Sequence, residues 1–207
     1  MSQVLALSYR PKTLDSMVGQ KKLAKFIRGH KKNGRLPQVW LLIGESGAGK
    51  TTIGRILAVS YQCKHQDMFG NPCKECYDHR SKFDIVEINC ADLTGVDDLR
   101  QAFQGANFEP KPGSKARVYL LDETQGLSVN AQRLLFKYFE DCPETTIWIN
   151  CTTNPEKLLL PVRTRCKPGT YTVPSLSQKG VRILVKRALR HVKSELDYDE
   201  LSEALNE

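Results

Sequence analysis

The chain has 207 residues, enough for one domain with a sizeable core, or one domain and a small appendage. With 40% hydrophobic and 26% charged residues it has the balance of a soluble globular protein, and no apolar run approaches membrane-spanning length. Lys and Arg number 31 against 23 Asp and Glu, a net charge of +8 that suits a polyanionic partner, while seven cysteines, four of them isolated, point away from a disulfide framework and toward a reducing cytoplasm.

In chain order, strand-like and helical patterns alternate. The opening "MSQVLALSYRPKT" lacks the segments of a secretory signal. A helix is expected near 20–33, a strand at "QVWLLI" (38–43), and a second helix over 50–62. A polar stretch, "CKHQDMFGNPCKECYDH" (63–79), then gathers three cysteines and two histidines. Strands follow at "FDIVEIN" (83–89), "ARVYLLDE" (116–123) and "TTIWINCTT" (145–153), with helices near 95–104 and 128–141. This alternation predicts an α/β fold, a parallel sheet sandwiched by helices. From about 172–175 onward the pattern is helical only, so residues 1–173 are expected to form the main domain and 174–207 a helical appendage. There Lys179, Arg182, Lys186, Arg190 and Lys193 recur at helical steps opposite an apolar face of Val181, Leu184, Val185, Ala188 and Val192, the pattern of a solvated charged face, with contact to DNA or an acidic partner as the alternative.

One segment carries specific chemistry. "GESGAGKT" (44–51) follows a strand and opens a helix, so the backbone around Gly44, Gly47, Ala48 and Gly49 can cradle phosphate oxygens on its N–H groups. Lys50 would reach the β- and γ-phosphates, Thr51 would ligate Mg²⁺, and Thr52 continues the cradle into the helix. The run "VYLLDE" (118–123) ends a strand in two carboxylates: Asp122 suits the magnesium shell, and Glu123 suits orientation of an attacking water. At the tip of the next strand Thr153 could hydrogen-bond that water or the γ-phosphate, with Thr152 and Asn154 as alternatives.

Taken together, "YRPKTLDSMVGQ" (9–20), the phosphate loop, "CKECYDH", "YLLDE", "NAQRLLFKYFEDCP" (130–143) and "TTNPEKLLLPVRTRC" (152–166) come in the order found in bacterial sliding-clamp loader ATPases of the AAA+ class. The chain resembles their gamma/tau type over roughly residues 6 to 173. The resemblance implies a five-stranded P-loop domain with a zinc-binding insertion and a partial helical lid. It also implies that Tyr9, Arg10, Pro11, Val18 and Gly19 border the adenine of ATP, and that Arg165 of "TRC" is an arginine finger for a neighbouring subunit's site.

Cys63, Cys73, Cys76 and His79 have the spacing C-x9-C-x2-C-x2-H, a ligand set for structural Zn²⁺, with His65 as a rival fourth ligand. Two positions that are basic and DNA-facing in the family are Leu93 and Gly95 here, while Arg100 is kept. The sequence stops at Glu207, before the family's third lid helix and collar, so it is either a piece of a longer protein or an abbreviated version. The expected function is ATP-dependent loading of a sliding clamp onto primer–template DNA, within an oligomer of clamp-loader subunits (a pentamer in the family). A stator subunit without turnover and another AAA+ motor, such as a branch-migration helicase, are the alternatives.

Overall fold

The computed structural model of the protein describes residues 10–192 apart from 33, 35, 66–68, 79–82 and 94, and only the backbone of 190–192. Five strands form one parallel sheet: β1 (Val39–Ile43), β2 (Ile85–Asn89), β3 (Arg117–Asp122), β4 (Thr146–Thr152) and β5 (Gly169–Thr172). Their spatial order is β2-β3-β4-β1-β5. Among the described residues seven α-helices accompany them: α1 (Lys21–Lys32), α2 (Lys50–Gln62), α3 (Lys74–Asp78), α4 (Val96–Ala102), α5 (Val129–Asp141), α6 (Leu160–Cys166) and α7 (Gln178–Val192).

Strand side chains alternate between two cores, as the pleat requires. Trp40, Leu42, Val118, Leu120, Ile147 and Ile149 pack with α1 and α2 on one face. Val39, Leu41, Tyr119, Leu121 and Trp148 pack with α4, α5 and α6 on the other. Trp148 stacks on Tyr119 with ring centroids 4.7 Å apart and meets the edge of Phe103 at 4.8 Å, so aromatic area fills the centre of this second core. β1, β3 and β4 are buried nearly throughout, which explains why they read as continuous apolar runs.

Parallel strands deliver all their C-terminal ends to one edge of the sheet, and the strand order places β4 between β1 and β3. Ile43 pairs with Thr152, and Leu121 with Asn150. The loop after β1 and the acidic tip of β3 therefore flank the tip of β4, in the crevice where open α/β sheets hold ligands.

The four expected strands and four expected helices all form within their windows. β5, of sequence GTYT, is too short and polar to announce itself, and α3 and α6 are one- and two-turn helices with no amphipathic repeat to mark them. The appendage differs in one respect from the expected apolar face. Val181 is 42% exposed, because the inward side of α7 is centred on buried Gly180, against which Leu176 packs. Leu184, Val185 and Ala188 are half-buried, and the side chains of Arg190, Val192 and Lys193 lie outside the described residues.

Candidate functional site: a phosphate cleft and a cysteine cluster

β1 ends directly in the phosphate loop. A side chain at Gly44 would meet the Val173 carbonyl oxygen at 2.7 Å, so only glycine fits the strand exit. Gly49 has φ 94°, a left-handed conformation that turns the loop into α2 at the cost of almost nothing for glycine. The first turn of α2 then points its free N–H groups into the loop. Lys50 is 5% exposed and donates to the carbonyls of Gly44 (3.0 Å) and Glu45 (2.9 Å), holding its ammonium over the loop.

Thr51 donates its hydroxyl to Asp122 Oδ2 at 2.6 Å, and the Glu123 N–H donates to Asp122 Oδ1 at 3.1 Å. A cleft of about 260 Å³ opens here, lined by Ser46, Gly47, Gly49, Lys50, Thr51 and Thr52 of the loop and α2 together with Arg10, Asp122 and Glu123. The Nη1 of Arg10 is buried with no hydrogen-bond partner among the described residues, leaving a donor unused. Amide donors, two cations and a hydroxyl–carboxylate pair fit a nucleotide phosphate and a hard divalent ion. Ser46 is the one cleft residue here that the sequence reading did not single out.

Glu123 has φ 50°, the only positive φ at a non-glycine among the described residues. That conformation costs about 1–2 kcal/mol for a side chain with a Cβ. It folds the chain into the turn Thr124–Gly126, which returns Gln125 toward Glu123. Gln125 Nε2 donates to Glu123 Oε2 and to Thr153 Oγ1 (3.0 Å). Its Oε1 accepts from Thr152 Oγ1 at 2.6 Å and from the Thr153 N–H at 3.3 Å. Of the three β4-tip candidates, Thr152 is fully buried, Thr153 is exposed, and Asn154 donates its backbone N–H to Thr152 Oγ1. Sequence reasoning missed Gln125, since nothing in a glutamine after an acidic pair signals contact with residues 28 positions away.

Other expected residues fall nearby or elsewhere. Pro11, Val18 and Gly19 lie on the segment beside the loop, where Met17 approaches Gly49 and Leu176 approaches Gly19. Tyr9 lies outside the described residues. Arg165, on α6, is exposed, is not among the residues lining its own chain's cleft, and donates through Nε (3.3 Å) and Nη2 (3.1 Å) to the Phe139 carbonyl near the end of α5. In the loop before α4, Leu93 packs on the core and Gly95 donates its N–H to Asp98, while on α4 itself Arg100 pairs with Asp97 at 2.8 Å.

The Sγ atoms of Cys63, Cys73 and Cys76 all lie within 4.8 Å of one another. His65 Nδ1 joins them, 3.6 Å from Cys76 Sγ and 4.0 Å from Cys73 Sγ. His79 lies outside the described residues. Burial pushes the Cys63 thiol up, but hydrogen bonds from the backbone amides of Cys73 and His65 and from the thiols of Cys76 and Cys73 outweigh it, leaving Cys63 below the usual thiol range. By contrast, burial pushes Cys90 and Cys166 up to about 12 and Cys142 to about 11, so those thiols stay protonated. Three convergent sulfurs, with an imidazole beside two of them, are soft donors of the kind that hold zinc.

Residues 19–173 match the family described as DNA polymerase III, delta subunit. The chain belongs to that family. Curated relatives carry gamma and tau names. It is 34% identical over 169 residues to the DNA polymerase III subunit tau/gamma of Haemophilus influenzae, covering 79% of this chain and 24% of that protein. It is 30% identical over 204 residues to the subunit gamma of Buchnera aphidicola subsp. Schizaphis graminum, covering 96% of this chain and 55% of the relative. The chain thus spans about a quarter to a half of the length of these relatives. Among solved structures, a RuvB variant from Thermotoga maritima superposes with a TM-score of 0.61 at 23% identity, over 89% of this chain and 55% of that one. A gamma-subunit-related protein of the same organism gives 0.51 at 19% identity, over 81% and 49%. Both support the AAA+ fold, and the family agrees with the clamp-loader resemblance carried by the motifs. No helix among the described residues is long and apolar enough to cross a membrane.

Proposed function

We propose that this chain is the ATPase part of a clamp-loader subunit. In this reading it binds ATP with Mg²⁺, assembles with other loader subunits, holds a sliding clamp at primer–template DNA, and hydrolyses ATP on release. The observation that carries it is the Thr51–Asp122 pair in one cleft with Lys50, Arg10 and Glu123. Lys50 and Arg10 would bind phosphate oxygens, and Thr51 with Asp122 would hold magnesium, which neutralises charge on the phosphates when bound. Glu123 would orient the attacking water, and Arg165 would serve the site of an adjoining subunit. A stator has no need of this complete set, which favours turnover over a purely structural role.

Steady-state ATPase of the protein with partner subunits should rise on adding clamp and primed DNA. Glu123→Gln should bind ATP normally and turn over about 10²–10³-fold more slowly, accumulating loaded clamp. Stimulation by neither clamp nor primed DNA would favour the stator. Stimulation by a four-way junction alone would favour the branch-migration motor, and normal turnover by Glu123→Gln would remove that carboxylate from the mechanism.

The cysteine cluster reads as a structural zinc module in which Cys63, Cys73, Cys76 and His65 supply the ligands. Elemental analysis of protein purified without chelators should give about one zinc per chain. The Cys73→Ser/Cys76→Ser protein should lose it. His65→Ala should lower zinc affinity steeply while His79→Ala leaves it unchanged, and the reverse would make His79 the fourth ligand.

A further inference from the structure

Gln125 touches the two halves of the hydrolytic site at once. Its amide has two donors and an oxygen with two acceptor sites. All four are used: toward Glu123 and Thr153 on the nitrogen side, toward Thr152 and the Thr153 backbone on the oxygen side. The orientation of the amide is fixed by chemistry. The Thr153 N–H can only donate, so it faces Oε1, which leaves Nε2 to donate to the Glu123 carboxyl oxygen.

The turn does not need this side chain. Gly126 N–H donates to Glu123 O at 2.7 Å, Leu127 N–H to Thr124 O at 3.2 Å, and Thr124 Oγ1 to Leu121 O at 3.2 Å. The amide is therefore free to serve the site rather than the backbone. The chain of contacts also reaches the phosphate loop, because Gly44 N–H donates to the Thr152 carbonyl at 3.2 Å and Thr152 Oγ1 donates to Gln125.

We propose that Gln125 is a positioning residue for ATP hydrolysis: its amide ties the Glu123 carboxylate to the tip of β4, so that the placement of that tip beside the phosphate loop is passed to the group that orients water. The inference rests on the ATPase reading above. One side chain sets the distance between Glu123 and Thr152–Thr153, and a displacement of about 1 Å at such a carboxylate costs about 10²-fold in rate.

The test compares wild-type protein with Gln125→Ala, Gln125→Glu and Thr152→Val, measuring ATP affinity, kcat, and kcat against pH. Gln125→Ala should keep its ATP affinity within about twofold while kcat falls on the order of 10- to 100-fold. Combining Gln125→Ala with Thr152→Val should cost little more than Gln125→Ala alone, because both remove one connection. Gln125→Glu sets a carboxylate against Glu123, and like charges raise the pKa of the pair. Its kcat, relative to wild type, should therefore recover as pH is lowered from about 8 to about 6, when the introduced acid regains a proton to donate. A glutamine that merely packs would produce no such recovery. Wild-type turnover with an unimpaired Gln125→Ala, fully additive losses, or a flat relative pH profile for Gln125→Glu each overturns the inference alone. Absence of ATP turnover by the wild-type protein assembled with its partner subunits overturns the ATPase reading and this inference with it.

Discussion

Lys50→Ala should lose ATP binding by at least about 10²-fold while remaining folded. The Lys50 ammonium is almost wholly buried and already sits over the phosphate loop, donating to Gly44 and Glu45. With nucleotide it exchanges those carbonyls for phosphate oxygens, and each charge-assisted hydrogen bond contributes about 1.5–3 kcal/mol. Two such bonds correspond to roughly 10²–10⁴ in affinity. Arg10 lines the same cleft but does not make the contacts to the Gly44 and Glu45 carbonyls that hold Lys50 over the loop. Titration with a fluorescent ATP analogue, beside a thermal melt, checks this. An affinity within about threefold of wild type would mean that the loop does not bind phosphate through this lysine.

Arg165→Ala should leave each subunit's own ATP affinity nearly intact and collapse hydrolysis at its neighbour, by on the order of 10³-fold. The guanidinium is not among the groups lining its own cleft and rests on the last turn of α5 through the Phe139 carbonyl, a helix end that attracts a cation. Leaving that perch costs little and presents the same five donors to a phosphate across an interface. Mixing subunits carries the decision. Arg165→Ala chains with an intact phosphate loop, combined with Lys50→Ala chains with an intact Arg165, should recover part of the activity that neither has alone. Assembled mixtures without recovery would leave no shared site.

The phosphate loop was readable because its residues are contiguous and its context, strand then helix, is fixed by the same stretch of sequence. The acidic tip of β3 was readable for the same reason, and four strands announced themselves because burial on both faces demands unbroken apolar runs. β5 escaped, its four residues relying on pairing with β1 rather than on their own pattern. Gln125 escaped because its significance depends on register: only the pairing of β3 with β4 brings Thr152 and Thr153 to it. The cysteine spacing offered His79 as the fourth partner of the three sulfurs with His65 as its rival, and among the described residues it is His65 that lies beside Cys73 and Cys76. The place of His65 depends on how the turn after α2 folds back.

That same turn region carries a strap. The Leu14 N–H donates to the Gly70 carbonyl at 2.8 Å, Asp15 and Asn71 join through side chains and backbone, and Lys12 pairs with Asp78 at 2.7 Å. Leu14 is buried against Gly70, where its side chain leaves no room for a Cβ and the φ of 91° also favours glycine. These partners are 56 to 66 residues apart in the chain, so each contact closes a long loop and is worth forming only after the intervening structure exists. In the order of assembly, the segment that brings Arg10 to the cleft therefore waits for the cysteine-bearing turn.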